Sequence, residues 1–252
     1  MEKLSVVIIC FNEEKNIGRC IDSVKDVADE ILILDSYSTD QTVSIAERKG
    51  AIVKQEEFKG FIEKKNKAVQ LASHDYVLSL DADEALNPLL TESIRQAKEK
   101  FTNGVYSMNR CSNYCGKFIR HGSWYPDTKI RLFDRRMARW GGTNPHDKVV
   151  FEENIQVKHL KGDILHYSYH TISEHVIQNN KLSTLAAESL FTKGKKTNLL
   201  NVFFRPSWAF IVSYMIRAGF LDGLFGFVIA IQIAHMTFLK HLKLYLLCKS
   251  DK

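Results

Sequence analysis

Five cysteines, odd in number and scattered (Cys10, Cys20, Cys111, Cys115, Cys248), give this 252-residue chain no disulfide framework. An apolar run begins at Leu4, with no signal segment ahead of it, so a reduced, cytosolic protein is expected. Cys111-x3-Cys115 lacks a second cysteine pair, which argues against structural zinc. Internal repeats and low-complexity linkers are missing too. So is any charge excess over most of the length, because the first 192 residues hold 26 bases against 27 acids. With 45% apolar and 25% charged residues, collagen-like and disordered classes are excluded. The length suffices for an extended core in one large domain, or one domain with an appendage.

The first hundred residues alternate strand and helix signals. Residues 4–10 (LSVVIIC), 30–34 (EILIL), 51–53 and 76–80 (YVLSL) read as short strands, the first a β-branched run suited to burial on both faces. Helices are expected between them, the first capped by Asn12 and carrying Ile17, Ile21, Val24 and Val27 at helical spacing. Asp40 opens the second, which stops at Gly50; residues 61–72 form the third, and Asn87-Pro88 opens the fourth. This order implies an α/β fold with a mostly parallel sheet and helices on both faces. Ligands on such sheets sit beyond the carboxyl ends of the strands. Residues 11–13, 35–36 and 81–83 are polar clusters at such ends. After Gly104 the pattern changes to short alternating strands (105–109, 117–121, 129–133, 164–167). Thr171 with Glu174 is a capping box that opens a helix to about Thr192.

Asp81-Ala82-Asp83-Glu84 carries the most chemistry. Residues two apart in an extended chain point the same way, so both aspartates can face one cation. Oxygen ligands suit Mg2+ or Mn2+ accompanied by substrate phosphates. The alternative is a loop of solvated acids. Asp35 ends a buried strand, where a carboxylate can accept hydrogen bonds from a nucleobase or ribose; residues 38–40 can also simply cap the next helix.

Taken together with SVVIICFNEE, these clusters resemble the family 2 glycosyltransferases of the A-type nucleotide-sugar fold. Phe11-Asn12-Glu13, the D-S-x-S-x-D-x-T stretch from Asp35, Lys65-Asn66 and the D-A-D-E from Asp81 stand in that family's order and spacing, over roughly residues 4–190. The resemblance implies that Phe11 and Glu13 flank the nucleobase and that Asp35 holds the uracil or ribose. Lys65 replaces the family's usual Arg and would face the pyrophosphate, keeping charge but losing bidentate geometry. Asp83 is then the main metal ligand, and Asp81 touches the ribose or a metal-bound water. In Asn144-Pro145-His146-Asp147-Lys148, Asp147 is the expected general base and His146 its neighbour, which orients it or binds substrate; a turn is the other reading. His166 is a candidate third metal ligand, or a core residue. Trp124-Tyr125-Pro126, with Arg131, can form a sugar-stacking wall or pack in the core.

From Lys193 onward, nine Lys/Arg face two Asp, a balance of +7, in a segment rich in Phe, Leu and Ile. This points to an anionic membrane surface rather than nucleic acid. Its longest stretch free of charged residues is Gly223 to Leu239, 17 residues or about 26 Å of helix. That is short for a bilayer core of about 30 Å, so an interfacial or re-entrant hairpin around residues 219–226 is expected. Arg-x-Gly-Phe-x-Asp-Gly from Arg217 resembles the branch that builds lipopolysaccharide cores, the β-1,4-glucosyltransferases. The resemblance implies an inverting, metal-dependent hexosyl transfer from a UDP-sugar to a lipid-linked saccharide at the inner face of the cytoplasmic membrane. The alternatives are transfer to polyprenyl phosphate and a catalytically silent scaffold. The expected divisions are a nucleotide-sugar half (1–104), an acceptor half (105–192) and a helical tail (193–252).

Overall fold

The structure, a computed structural model, describes residues 2–101, 104–143 and 146–250, the side chains of Thr143 and His146 excepted. The chain divides into two compact units, residues 1–110 with 127–167 and residues 111–126 with 168–252.

In the first unit, β1 (Leu4–Cys10), β2 (Glu30–Asp35), β3 (Ile52–Gln55) and β4 (Tyr76–Asp81) are parallel in the order β3-β2-β1-β4. The helices α1 (Ile17–Val24), α2 (Thr42–Arg48) and α3 (Phe61–Leu71) connect them. Alternation along the strands divides the core in two. Val6 and Ile8 face α1 and α4 (Pro88–Glu99), while Val7 and Ile9 face α3. Each buried side chain of this kind contributes about 1.5–3 kcal/mol, which is why the strands read as unbroken apolar runs.

Beyond β4 the sheet turns antiparallel. After β5 (Glu84–Leu86) come β6 (Val105–Tyr114), β7 (Lys117–Phe118), β8 (Asp127–Asp134) and β11 (Val157–Tyr169). The strands β9 (Ala138–Thr143) and β10 (His146–Phe151) form a separate hairpin. The sheet is therefore mixed, and the parallel part ends where helical crossovers end, since parallel strands need them and hairpins do not. Asn12 does not cap α1. The N-cap position is Asn16, and Asn12 takes a left-handed conformation (φ 54°) at the end of β1.

In the second unit α5 (Ile172–Thr192) starts at the capping box: the Glu174 N–H donates to Thr171 Oγ1, and Glu174 accepts from the Thr171 N–H, both at 3.2 Å. Its faces pack on α7 (Leu224–Ser250), with Lys243 Nζ donating to Asn180 and Ser183. The helix α6 (Leu199–Ile211) contains Pro206 and runs into a π-helical turn, Val212–Ile216. α6 and α7 make a hairpin. In its turn the Asp222 carboxylate accepts from the N–H groups of Arg120 (3.0 Å) and His121 (2.8 Å). A Cβ on Gly226 would stand 1.9 Å from the Gly219 carbonyl oxygen, so this crossing requires glycine. Trp124 lies in an aromatic cluster with Tyr114, Tyr169 and His175. Trp124 is partly buried there.

Candidate active site

Strand order reverses between β1 and β4, the point at which open α/β sheets bind ligands. Asp81 is the last residue of β4. Lys65, on the inner face of α3, reaches Asp81 Oδ1 (3.1 Å) and Asp147 Oδ2 (2.8 Å) with its ammonium. Arg131 on β8 donates from one nitrogen to Asp81 Oδ2 (3.0 Å) and Glu84 Oε1 (2.8 Å). Glu84 returns the bond by accepting from the Asp81 N–H (3.1 Å). Both cations lie over the Trp140 indole, Lys65 at 4.4 Å and Arg131 at 5.2 Å from the ring centre. The indole N–H in turn donates to Ser79 (3.2 Å). Burial works to raise the Asp81 carboxyl, and the charges of Arg131 and Lys65 outweigh it, holding it down at about 2.

Asp83 points elsewhere. Its Oδ2 stands 3.1 Å from His166 Nε2, and its carbonyl accepts from the Tyr167 N–H (2.9 Å). Of the three expected metal ligands, two meet and the third, Asp81, faces cations. Among the described residues no group of three His, Cys, Asp or Glu is arranged to hold a metal ion.

Asp35 is fully buried. Its carboxylate accepts from the Ser38 N–H (2.9 Å), the Ser38 hydroxyl and the Gln55 amide (3.1 Å). Burial pushes this carboxyl up, and these donors, with the Cys10 thiol (3.4 Å), together pull it below the usual carboxylate range. Phe11 and Tyr37, just beyond β1 and β2, are exposed aromatics at this edge. Glu13 is partly buried, accepting from the Asn16 amide (2.8 Å). Lys65 is buried and committed to its two aspartates. Asn144 and Pro145 lie outside the described residues, as does the His146 side chain, whose backbone pairs with Thr143 in the β9–β10 hairpin.

The fold thus gathers Lys65, Asp81 and Asp147 into one cluster, sets Asp83 on His166, and places Asp35 under the loop that carries Tyr37. The sequence reading names Glu84 only as part of D-A-D-E, with no role of its own, misses Trp140 in this site, and gives Arg131 a different role. Glu84 and Arg131 had a signal, namely charged residues in strand segments otherwise buried. Tyr37 was also missed, although it lies inside a recognised motif.

The sequence profile of Glycosyl transferase family 2 matches residues 5–152. A relative in Rickettsia typhi, an uncharacterised glycosyltransferase, is 32% identical over 97% of this chain and 87% of its own length. The lipopolysaccharide core biosynthesis glycosyltransferase LpsC of Rhizobium meliloti is 29% identical over 96% of this chain and 92% of its own. Among solved structures, glucosyl-3-phosphoglycerate synthase from Mycobacterium tuberculosis, in complex with Mn2+ and UDP-glucose, is 27% identical. It overlaps 44% of either chain with a TM-score of 0.37, too little to carry a functional argument. The profile match and the full-length relatives decide the matter: the chain belongs to glycosyl transferase family 2 and is a glycosyltransferase.

Proposed function

We propose that this glycosyltransferase moves a hexose, with inversion, from a UDP-sugar to a lipid-linked saccharide such as a lipopolysaccharide core. The observation that carries the reading is the buried Lys65–Asp147–Asp81–Arg131 array at the carboxyl edge of the parallel strands. It is a preorganised set of charges where a charged donor would lie. The full-length likeness to LpsC, apolar tail included, supports the acceptor class.

Each residue then has a task. Phe11 and Tyr37 stack on the nucleobase, with Glu13 beside it. Asp35 holds the Ser38 loop in place through its hydrogen bonds. Asp81, fixed by two cations, accepts from the ribose. Asp147 takes the proton of the acceptor hydroxyl. Lys65 occupies its Oδ2 and fixes the carboxylate, so Oδ1 is the atom turned to this use. His146, next to it in β10, binds the acceptor.

A divalent cation fits what is present. Asp83 and His166 supply an oxygen and a nitrogen donor 3.1 Å apart, both partly open. Mg2+ or Mn2+ in such enzymes uses one or two protein ligands and fills its shell with phosphate oxygens and water. When bound, the ion would neutralise the leaving diphosphate. Two helical stretches of the tail, Leu199–Ile216 and Leu224–Ser250, are long and apolar enough to cross a membrane. With the tail's +7 charge this supports association with the inner face of the cytoplasmic membrane.

Thermal shift against a panel of UDP-sugars, with and without Mn2+, tests the donor side, since a ligand of the native state raises the midpoint. No shift with any of them would end the reading. On the acceptor side, Asp147→Asn should lose most of its rate with a hydroxyl acceptor. An unchanged rate would favour polyprenyl phosphate, already ionised and needing no base.

A further inference from the structure

Of the Lys65-Asn66 pair, the site described above uses only the lysine. Asn66 is the next residue on α3, half-buried, and its side-chain amide reaches strand β9. Its Oδ1 accepts from the Trp140 N–H (3.0 Å), and its Nδ2 donates to the Trp140 carbonyl (2.9 Å). One side chain thus pairs with both backbone groups of Trp140, as a residue of a neighbouring strand would. The Trp140 indole is buried and donates to Ser79, two residues before Asp81 on β4.

The tie matters because of what the hairpin carries. β9 and β10 form a two-stranded sheet of their own. Ala138, Trp140 and Val149 bury their side chains in the core that includes Ala68 and Val69 of α3. Apolar burial is non-directional, so it holds the hairpin against α3 without fixing how far along the helix the strands lie. Hydrogen bonds fix that. The register sets Val149 opposite Trp140 and Asp147 opposite Gly142, so Asp147 stands two pairs along, on the Trp140 face of the hairpin. Two adjacent residues of one helix therefore grip both strands. Asn66 holds β9 by its backbone, and Lys65 holds β10 by the Asp147 carboxylate (2.8 Å).

We propose that Asn66 is a positioning residue for sugar transfer, which sets the Asp147 carboxylate by fixing β9 at Trp140. The inference rests on Asp147 as the base. Lys65 alone can follow a displaced hairpin, because its ammonium sits on a flexible stem. The amide pair cannot, since two bonds to one residue define both place and orientation. An error of about 1 Å at a reacting group can cost about a hundredfold in rate. Loss of the tie should therefore appear in turnover rather than in donor binding.

Steady-state kinetics of the full-length protein tests this, with the UDP-sugar of largest thermal shift as donor and a lipopolysaccharide core oligosaccharide as hydroxyl acceptor. Asn66→Leu should lower kcat at least tenfold while the KM for the donor stays within twofold. Placed on top of Asp147→Asn, the same change should cost less than twofold, because the carboxylate it positions is already gone. A kcat within twofold of native in Asn66→Leu, where Asp147→Asn is slow, overturns the proposal and leaves the base in place. An equal loss in both backgrounds also overturns it, since Asn66 would then act other than through Asp147. A full rate for Asp147→Asn removes the base assignment and the proposal with it. Should Asn66→Leu fail to fold, Asn66→Asp decides by the same readouts. Its carboxylate still accepts from the Trp140 N–H but faces the Trp140 carbonyl with no hydrogen to donate.

Discussion

Arg131 makes two carboxylates tolerable at the end of β4. It is buried, Glu84 is buried beside it, and Asp81 shares its second contact. Removing one partner of such a set leaves uncompensated charge, which costs roughly 3–5 kcal/mol. Arg131→Met should therefore lower the urea-derived unfolding free energy by about that amount, and a loss under 1 kcal/mol would show the network to be dispensable. The same cations give Asp81 a pH signature. Its folded value of about 2 lies below the unfolded value of about 3.9. The stabilisation is thus fully present above about pH 4 and lost as pH falls through about 2. It amounts to about 2–3 kcal/mol. In Asp81→Asn the fall of the urea midpoint between pH 4 and 2 should be correspondingly shallower. Asp83→Ala should abolish turnover and the Mn2+-dependent part of UDP binding by calorimetry, and full metal-stimulated activity would refute the metal assignment. The acids at strand ends were legible in the sequence, because a short apolar run stops visibly at each. Arg131 was not legible as their partner. It lies 50 residues from Asp81, and only the β4–β8 pairing brings them together.

At the scale of elements, the α/β half was legible because its strands are buried on both faces and its helices carry local stop signals. The Asn87-Pro88 start of α4 and the Thr171 capping box are of this kind. The β9–β10 hairpin was not, since Ala138–Thr143 (ARWGGT) has neither an apolar run nor a clean alternation. Strand β5 is three residues long, too short to show a period. Helix α5 carries a wider consequence. The sequence divides the chain at residue 193, yet α5 packs on α7, so a truncation there strips α5 of its partner. The hairpin turn offers a sharper test. Gly226 leaves no room for a methyl group beside the Gly219 carbonyl, and backbone on both sides must move to admit one. Overpacking of this sort costs about 1–3 kcal/mol or more. Gly226→Ala should lower the thermal midpoint, whereas alanine at Gly194, where nothing stands within 4 Å but φ is +68°, pays only the local backbone strain. Equal effects at the two positions would mean that the crossing is looser than its geometry.

For the molecule as a whole, the distribution of charge and grease makes the case. The first 192 residues balance at −1, and the remainder carries +7. Attraction to an anionic leaflet is worth about 1 kcal/mol per well-placed base and acts within a Debye length of the surface. The tail also exposes large apolar side chains, among them Phe204, Trp208, Phe220 and Leu224. Exposed apolar side chains in such number on one segment point to an interaction surface. Charge and insertion should separate in salt. Screening weakens the approach, while chains already inserted are held by apolar burial and resist extraction. Trp208 reports the second step. It is half exposed, whereas Trp140 is buried and Trp124 sits in its aromatic cluster, so a blue shift of tryptophan emission on adding anionic vesicles should come from Trp208. In Trp208→Phe the shift should vanish while flotation persists. In a Phe220→Asp, Leu224→Asp variant, flotation at high salt should fall by tenfold or more, because two charges replace exposed apolar contacts. Flotation unchanged in that variant would place these side chains outside the bilayer, and the tail would then be a surface for another protein.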